Sequence, residues 1–144
     1  MPDQPRRRGL LDTSVVIDLG GLDPDALPGE LAISAITLAE LAAGPHATTD
    51  TDERARRQER LQRAEATFEP LPFDTDAARA YGRVYAAVTA AGRRARGRRA
   101  LDVPIAAIAL SKQLPLYTCN PDDFEGLAHL IDVVSVGPRE RPVP

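Results

Sequence analysis

Apolar residues along this 144-residue chain arrive in short runs separated by turn residues, and two kinds of spacing alternate. Continuous apolar runs mark buried strands, while stripes recurring every third or fourth residue mark helices that face a core. "GLLDTS" (9–14) reads as a strand whose buried part ends at Asp12. A brief helix from Val15 to about Leu19 follows, and then a turn-rich loop, "GGLDPDALPGE". "LAIS" (31–34) is a second strand, and "ITLAELAAG" (36–44) a helix stopped by Gly44 and Pro45. Because that helix is apolar nearly all round, it is expected to be mostly buried.

Residues 50–68 predict a charged amphipathic helix. Asp50 and Glu53 have capping-box spacing, Glu53–Arg57 and Glu59–Arg63 are i,i+4 pairs, and Leu61, Ala64 and Phe68 mark the inner face. "LPF" (71–73) reads as a short strand. Asp74 or Thr75 caps the next helix, whose stripe runs through Ala77, Ala78, Tyr81, Val84, Tyr85 and Val88 to a stop at Gly92. "LDVPIAAIALSKQ" (101–113) is a helix with Pro104 in its first turn, where proline is tolerated. "PLYTC" (115–119) and "IDVVSV" (131–136) are the last strands. Strands alternate with helices and no hairpin signal intervenes. The fold class is therefore α/β, with a short, mainly parallel central sheet and helices on both faces. One domain is expected over 9–136, between a polar lead-in (1–8) and a polar tail (137–144).

Composition narrows the chemistry. Aromatics make up only 4% of the residues, so alanine must fill much of the interior. No apolar run approaches the ~20 residues of a membrane span, and no signal-peptide pattern opens the chain, so the cytoplasm is the expected compartment. The single cysteine, Cys119, excludes an internal disulfide. Together with two scattered histidines, His46 and His129, it excludes a structural zinc site. Any metal would be a hard cation on oxygen ligands, such as Mg²⁺ or Mn²⁺. A net charge of −3 argues against a nucleic-acid partner, but the distribution does not. "GRRARGRR" (92–99) carries five arginines in eight residues, which makes it either a solvated face or a phosphate-binding tract.

The carboxylates carry the sharpest signal. In parallel α/β sheets ligands bind outside the carboxyl ends of the strands. Asp12 ends the first strand, and Asn120, Asp122 and Asp123 follow the strand at 115–119, so neighbouring strands would bring both groups to one edge. Each has a bland reading: Asp12 as a helix N-cap, "NPDDF" as turn chemistry. Glu40 lies in an apolar helix, where an unpaired charge costs several kcal/mol, although Thr37 and Glu40 also have capping-box spacing. Asp102 stands at the mouth of an apolar helix and could be its N-cap. One cause covers all four better: acids at element ends converging on a divalent cation, crowded together when it is absent. No glycine-rich dinucleotide or P-loop motif is present, and Ser14 stands where a haloacid-dehalogenase phosphatase needs a second aspartate.

"LLDTSVVIDL", "ISAITLAELAAG", "LDVPIAAIAL" and "LPLYTCNPDDFEGL", in that order and spacing, resemble the PIN-domain nucleases, and among them the VapC toxins of toxin–antitoxin pairs. The resemblance spans roughly residues 9–136. It implies a Mg²⁺- or Mn²⁺-dependent endoribonuclease, a homodimer, held inactive by a VapB-type antitoxin. It makes Asp12, Glu40, Asp102 and Asp123 the catalytic acids, with Asp12, Asp102 and Asp123 on the metal. Thr13, Ser14 and Asn120 would support them, and Asp122 would be a bystander. Arg93, Arg94, Arg96, Arg98 and Arg99, just ahead of Asp102, would hold RNA phosphates. A tRNA anticodon loop or an exposed ribosomal RNA loop would suit as substrate. The competing class is a PIN-like module that only binds RNA or protein.

Overall fold

The computed structural model describes residues 7–92 and 99–138. The apolar runs form a four-stranded parallel sheet in the order β2-β1-β3-β4, with β1 at Arg8–Leu11, β2 at Glu30–Ala32, β3 at Leu116–Thr118 and β4 at Val133–Ser135. All pairings are parallel, with Leu10 opposite both Ala32 and Leu116 in register. Gly9 is dictated by space in β1. A Cβ there would lie 2.5 Å from Tyr117 and 2.8 Å from Pro28, so only glycine lets the strands seat.

Alternation along β1 divides the core in two. Leu10 packs with α4 (Thr75–Ala90) and α5 (Arg99–Lys112) on one face of the sheet. Leu11 packs on the other face with Val15 and Val16 of α1 (Thr13–Ile17), Leu41 of α2 (Ala35–Ala43) and Ala64 of α3 (Thr51–Thr67). Both leucines are fully buried, each worth about 1.5–3 kcal/mol of transfer free energy. In α5, Ile105 through Ala109 are all fully buried, so the helix is enclosed on every side, and its alanines let α4 approach closely. Alanine fills the interior as its abundance requires.

Several local expectations are met in detail. Asp50 caps α3 by accepting from the Asp52 and Glu53 amides, and Asp74 caps α4 through the Ala77 amide. Gly92 (φ 75°) ends α4 in the left-handed conformation that favours glycine, its N–H bonded to the Thr89 carbonyl. Other expectations are corrected. Glu53 closes no capping box. It pairs with Arg56 and Arg57, whose guanidinium groups hold its carboxyl below the usual range. "LPF" forms no strand, only a single bridge from Leu71 to Ser34. The α4 stripe is narrower than its sequence pattern, since Ala78 and Tyr85 face outward while Ala80 is buried. Helix α2 buries Thr37 and Leu41 but exposes Ala39, Ala42 and Ala43, because it packs on one side only. Gly44 and Pro45 do stop α2, which ends at Ala43, though Gly44 itself keeps right-handed helical angles. The chain runs on through it into a 3-10 turn, and Arg57 donates to its carbonyl.

Candidate active site

The strand order puts the chain's topological switch between β1 and β3, the place where an open parallel sheet leaves a crevice at its carboxyl edge. Asp12 emerges there at the end of β1, its N–H bonded to the Tyr117 carbonyl of β3. Asp123 arrives on the 3-10 turn after β3 (Pro121–Phe124), which the buried Phe124 anchors. Glu40 projects from α2 and Asp102 from the first turn of α5. These four carboxylates, and a fifth, Asp18, that sequence reasoning did not single out, line one cleft of about 260 Å³, with Thr13, Ser14 and Asn120 among them. Asp122 is exposed and outside it.

"NPDDF" does form a turn, with Asp123 N–H bonded to the Asn120 carbonyl, but the bland readings of Asp12, Glu40 and Asp102 fail on geometry. Asp12 stands at the N-cap of α1, yet its side chain makes no cap hydrogen bond. Its Oδ2 instead accepts from the hydroxyls of Ser14 and Thr118, each at 2.9 Å. Those hydroxyls are pinned in turn: the Cys119 amide donates to Ser14 Oγ at 3.1 Å, and the Asn120 amide to Thr118 Oγ1 at 3.0 Å. Each hydroxyl's one hydrogen is thereby committed to the carboxylate. Among the described residues no lysine or arginine pairs with Asp12, although only 6% of it is exposed.

Glu40 forms no capping box with Thr37. Ser34 is the N-cap of α2, accepting from the Thr37 amide at 3.1 Å. Thr13 Oγ1 donates to Glu40 Oε1 at 2.7 Å, and Thr13 Oγ1 lies 2.9 Å from Thr37 Oγ1. Since Thr13 has a single hydrogen and gives it to an acceptor-only carboxylate, Thr37 must donate to Thr13, and Ser34 to Thr37 across 3.4 Å. All three hydroxyls are buried and point their donors the same way, toward Glu40. The cost of placing this charge in a largely apolar helix is thus met in part by a hydroxyl relay.

Asp102 is not an N-cap. Helix α5 begins at Arg99, three residues earlier, so Asp102 lies within its first turn, where the helix dipole favours a negative charge. Pro104 consequently sits in the second turn, where its ring cannot bond the Ala100 carbonyl. Of the arginine tract, Arg93, Arg94, Arg96 and Arg98 lie outside the described residues, and for Arg99 only the backbone is described.

All the donors in the cleft are oxygens and most are carboxylates, which suits a hard divalent cation. The expected crowding is absent. Among the described residues no three acidic, histidine or cysteine side chains are gathered tightly enough to form a ready-made metal cage. Sequence reasoning missed Ser34 and Thr118 and read Thr37 only as a capping-box partner of Glu40, not as a link between Ser34 and Thr13. The only signal for Ser34 was its S-x-x-T spacing to Thr37, and Thr118 looked like an ordinary strand residue.

A parallel sheet with acids from four elements at its switch point defines a class, and the comparisons name it. The family model described as "PIN domain" matches residues 9–130, and the chain belongs to that family. It is 40% identical over 133 residues to Ribonuclease VapC5 of Mycobacterium tuberculosis, a match taking in 89% of this chain and 95% of that protein. Among solved structures, VapBC-5 from Mycobacterium tuberculosis, of the VapBC toxin–antitoxin family, superposes with a TM-score of 0.74 at 37% identity, over 89% of this chain and 98% of the other. FitAcB from Neisseria gonorrhoeae superposes at 0.68 and 27% identity, over 88% and 96%.

Proposed function

We propose that this chain is a VapC-type toxin, an endoribonuclease that hydrolyses RNA phosphodiesters in the acidic cleft with Mg²⁺ or Mn²⁺ and water. The observation that carries the reading is the convergence of Asp12, Glu40, Asp102 and Asp123, from four separate elements, on one cleft of a PIN domain. Asp12, Asp102 and Asp123 would hold the cation. A bound divalent ion supplies charge neutralisation at the phosphodiester and a more acidic water. Glu40, aimed into the cleft by Thr13, accepts the proton of the attacking water. Because water and not the ribose 2′-hydroxyl attacks phosphorus, the products carry a 5′-phosphate and a 3′-hydroxyl. Asn120, at the cleft rim, orients the scissile phosphate, and the arginines at 93–99 hold its neighbours.

Substrates of this kind are single-stranded loops whose bases can be splayed out, a tRNA or ribosomal RNA loop in the cytoplasm. A VapB-type antitoxin silences the enzyme by laying an arginine into the cleft against Asp12 and Asp102, bidentate and charge-assisted. The active form is a homodimer. None of the helices among the described residues is long and apolar enough to cross a membrane.

Purified protein incubated with total RNA tests the reading. Cleavage is expected in Mn²⁺ and not in EDTA, with 5′-phosphate ends. RNA binding without cleavage in Mn²⁺ would make this a binding module. Co-expression with the adjacent open reading frame is expected to yield a stable, inactive complex, and a product that neither binds nor restores growth would refute the toxin assignment.

A further inference from the structure

Next to the acidic cleft lies a larger groove of about 750 Å³, and the two share Ile17 and Asp18 as a common sill. Its floor is apolar, formed by Leu22 and Val136, which are 4% and 3% exposed. Its position is fixed by the backbone. Val136 N–H bonds the Thr118 carbonyl at 2.9 Å, and Leu22 bridges to Pro138. The wall residue Cys119 is coupled to the acid site through two bonds, since its amide donates to Ser14 Oγ, which donates to Asp12 Oδ2. Whatever occupies the groove is therefore held in register with Asp12.

The sill is unusual in both of its residues. Ile17 is a large apolar side chain left 45% exposed. Asp18 ends α1 and opens the following 3-10 turn, yet its side chain caps neither, and it makes no hydrogen bond or ion pair among the described residues. Its carboxylate is not used by the fold.

We infer that this groove is a nucleobase subsite, receiving the base beside the scissile phosphate, with Asp18 selecting guanine. The inference rests on the ribonuclease reading above. A phosphate in the acidic cleft places the adjoining base within one nucleotide step, and the groove sharing a wall with that cleft is where the base can turn. The groove's size falls within the range of small-ligand sites, about 300–1,000 Å³. Ile17, Leu22 and Val136 supply apolar surface for its faces. A carboxylate only accepts hydrogen bonds, and guanine alone among the four bases presents two adjacent N–H donor groups, N1–H and the 2-amino group, on its Watson–Crick edge.

Cleavage of a random-sequence RNA pool in Mn²⁺, with both product ends sequenced, tests this. Wild type is expected to enrich guanine at one position flanking the cut, and Asp18→Ala to flatten that preference by about ten-fold while cutting more slowly. A Cβ at Gly137 meets nothing within 4 Å, so a side chain can start there, and Gly137→Phe is expected to narrow the groove and lower the same preference. An unaltered flank preference in Asp18→Ala overturns the inference, and so does an Asp18→Ala that keeps the preference but loses the antitoxin. If wild type cuts no RNA the ribonuclease reading fails, and a second readout then judges the groove alone. Cys119 is the only cysteine, and burial pushes its thiol up, so it is labelled with a maleimide above neutral pH. In EDTA a guanine-containing trinucleotide is expected to slow that labelling in wild type and not in Asp18→Ala. Equal labelling rates with and without the trinucleotide in wild type would overturn the subsite.

Discussion

Asp74 and Asp12 both stand at the N-cap of a helix, and the fold uses them in opposite ways. Asp74 spends its carboxylate on structure, accepting from the Ala77 amide at 3.0 Å and from Lys112 Nζ at 3.0 Å. Those two donors hold its carboxyl below the usual aspartate range. Asp12 makes no cap bond and pairs with no cation among the described residues. Two neutral hydroxyls fix Oδ2 and orient the group without cancelling its charge. The charge of the capping aspartate is met within the chain by a lysine, whereas that of Asp12 meets only hydroxyl donors among the described residues. Elsewhere Glu53 is clamped by Arg56 and Arg57, and Glu40 accepts from Thr13.

The contrast can be broken from the large end first. Glu40→Gln and Asp12→Asn are expected to lower RNA cleavage by about 10²–10⁴-fold, the scale of losing a positioned acid or base, with little change in melting temperature in EDTA. Asparagine can still accept both hydroxyls at Asp12. Asp12→Ala cannot, and leaving the Ser14 and Thr118 hydroxyls without their acceptor should cost about 1–3 kcal/mol. A chemical melt of both variants separates the two effects. Asp12→Asn melting well below wild type in EDTA would make Asp12 a structural group first.

In the core of α5 the ranking inverts, and beside the cleft a smaller catalytic effect is expected. Ile108→Ala, in the fully enclosed stretch of α5, should cost about 2–5 kcal/mol in urea unfolding and leave the metal-induced rise in melting temperature in place. Thr13→Val keeps the side chain's shape and removes the donor to Glu40. It is expected to reduce kcat by about 10–100-fold, as supporting hydrogen bonds around active-site ligands typically do.

The smallest effect belongs to Asp74. Its folded pKa is depressed, so its contribution is present above the ordinary carboxylate range and lost as pH falls through the lower folded value. Asp74→Asn should therefore melt a few degrees below wild type near neutral pH, with the two curves converging on acidification. A constant gap across that range would show that the cap acts without its charge.

The legible parts of this molecule are those written in local pattern. The end of β1 at Asp12, the capping of α3 by Asp50, the stop at Gly92 and the carboxylate at Glu40 all follow from a few neighbouring residues. What failed to show depended on partners distant in the chain. Thr118 is fully buried beside Asp12, 106 positions away, and a threonine in a strand carries no mark of that. The direction of the Ser34–Thr37–Thr13 relay is set by Glu40, which only the folded α1–α2 contact reveals. Helix α5 already runs at Arg99, ahead of the apolar pattern that begins at Leu101, and that places Asp102 inside its first turn and not at the cap. The surplus alanines of α2 looked like core and proved to be surface, since periodicity cannot say how many neighbours a helix has.

The central claim is that Asp12 is held ready for a divalent cation, and thermal melting of wild type and Asp12→Asn with Mn²⁺ or with EDTA tests it most directly. Binding to the native state alone stabilises by about 2.7 kcal/mol at a hundred-fold excess over Kd. Wild type is expected to gain several degrees on addition of Mn²⁺, and Asp12→Asn little or nothing. An equal rise in both proteins, or none in wild type, would contradict the account.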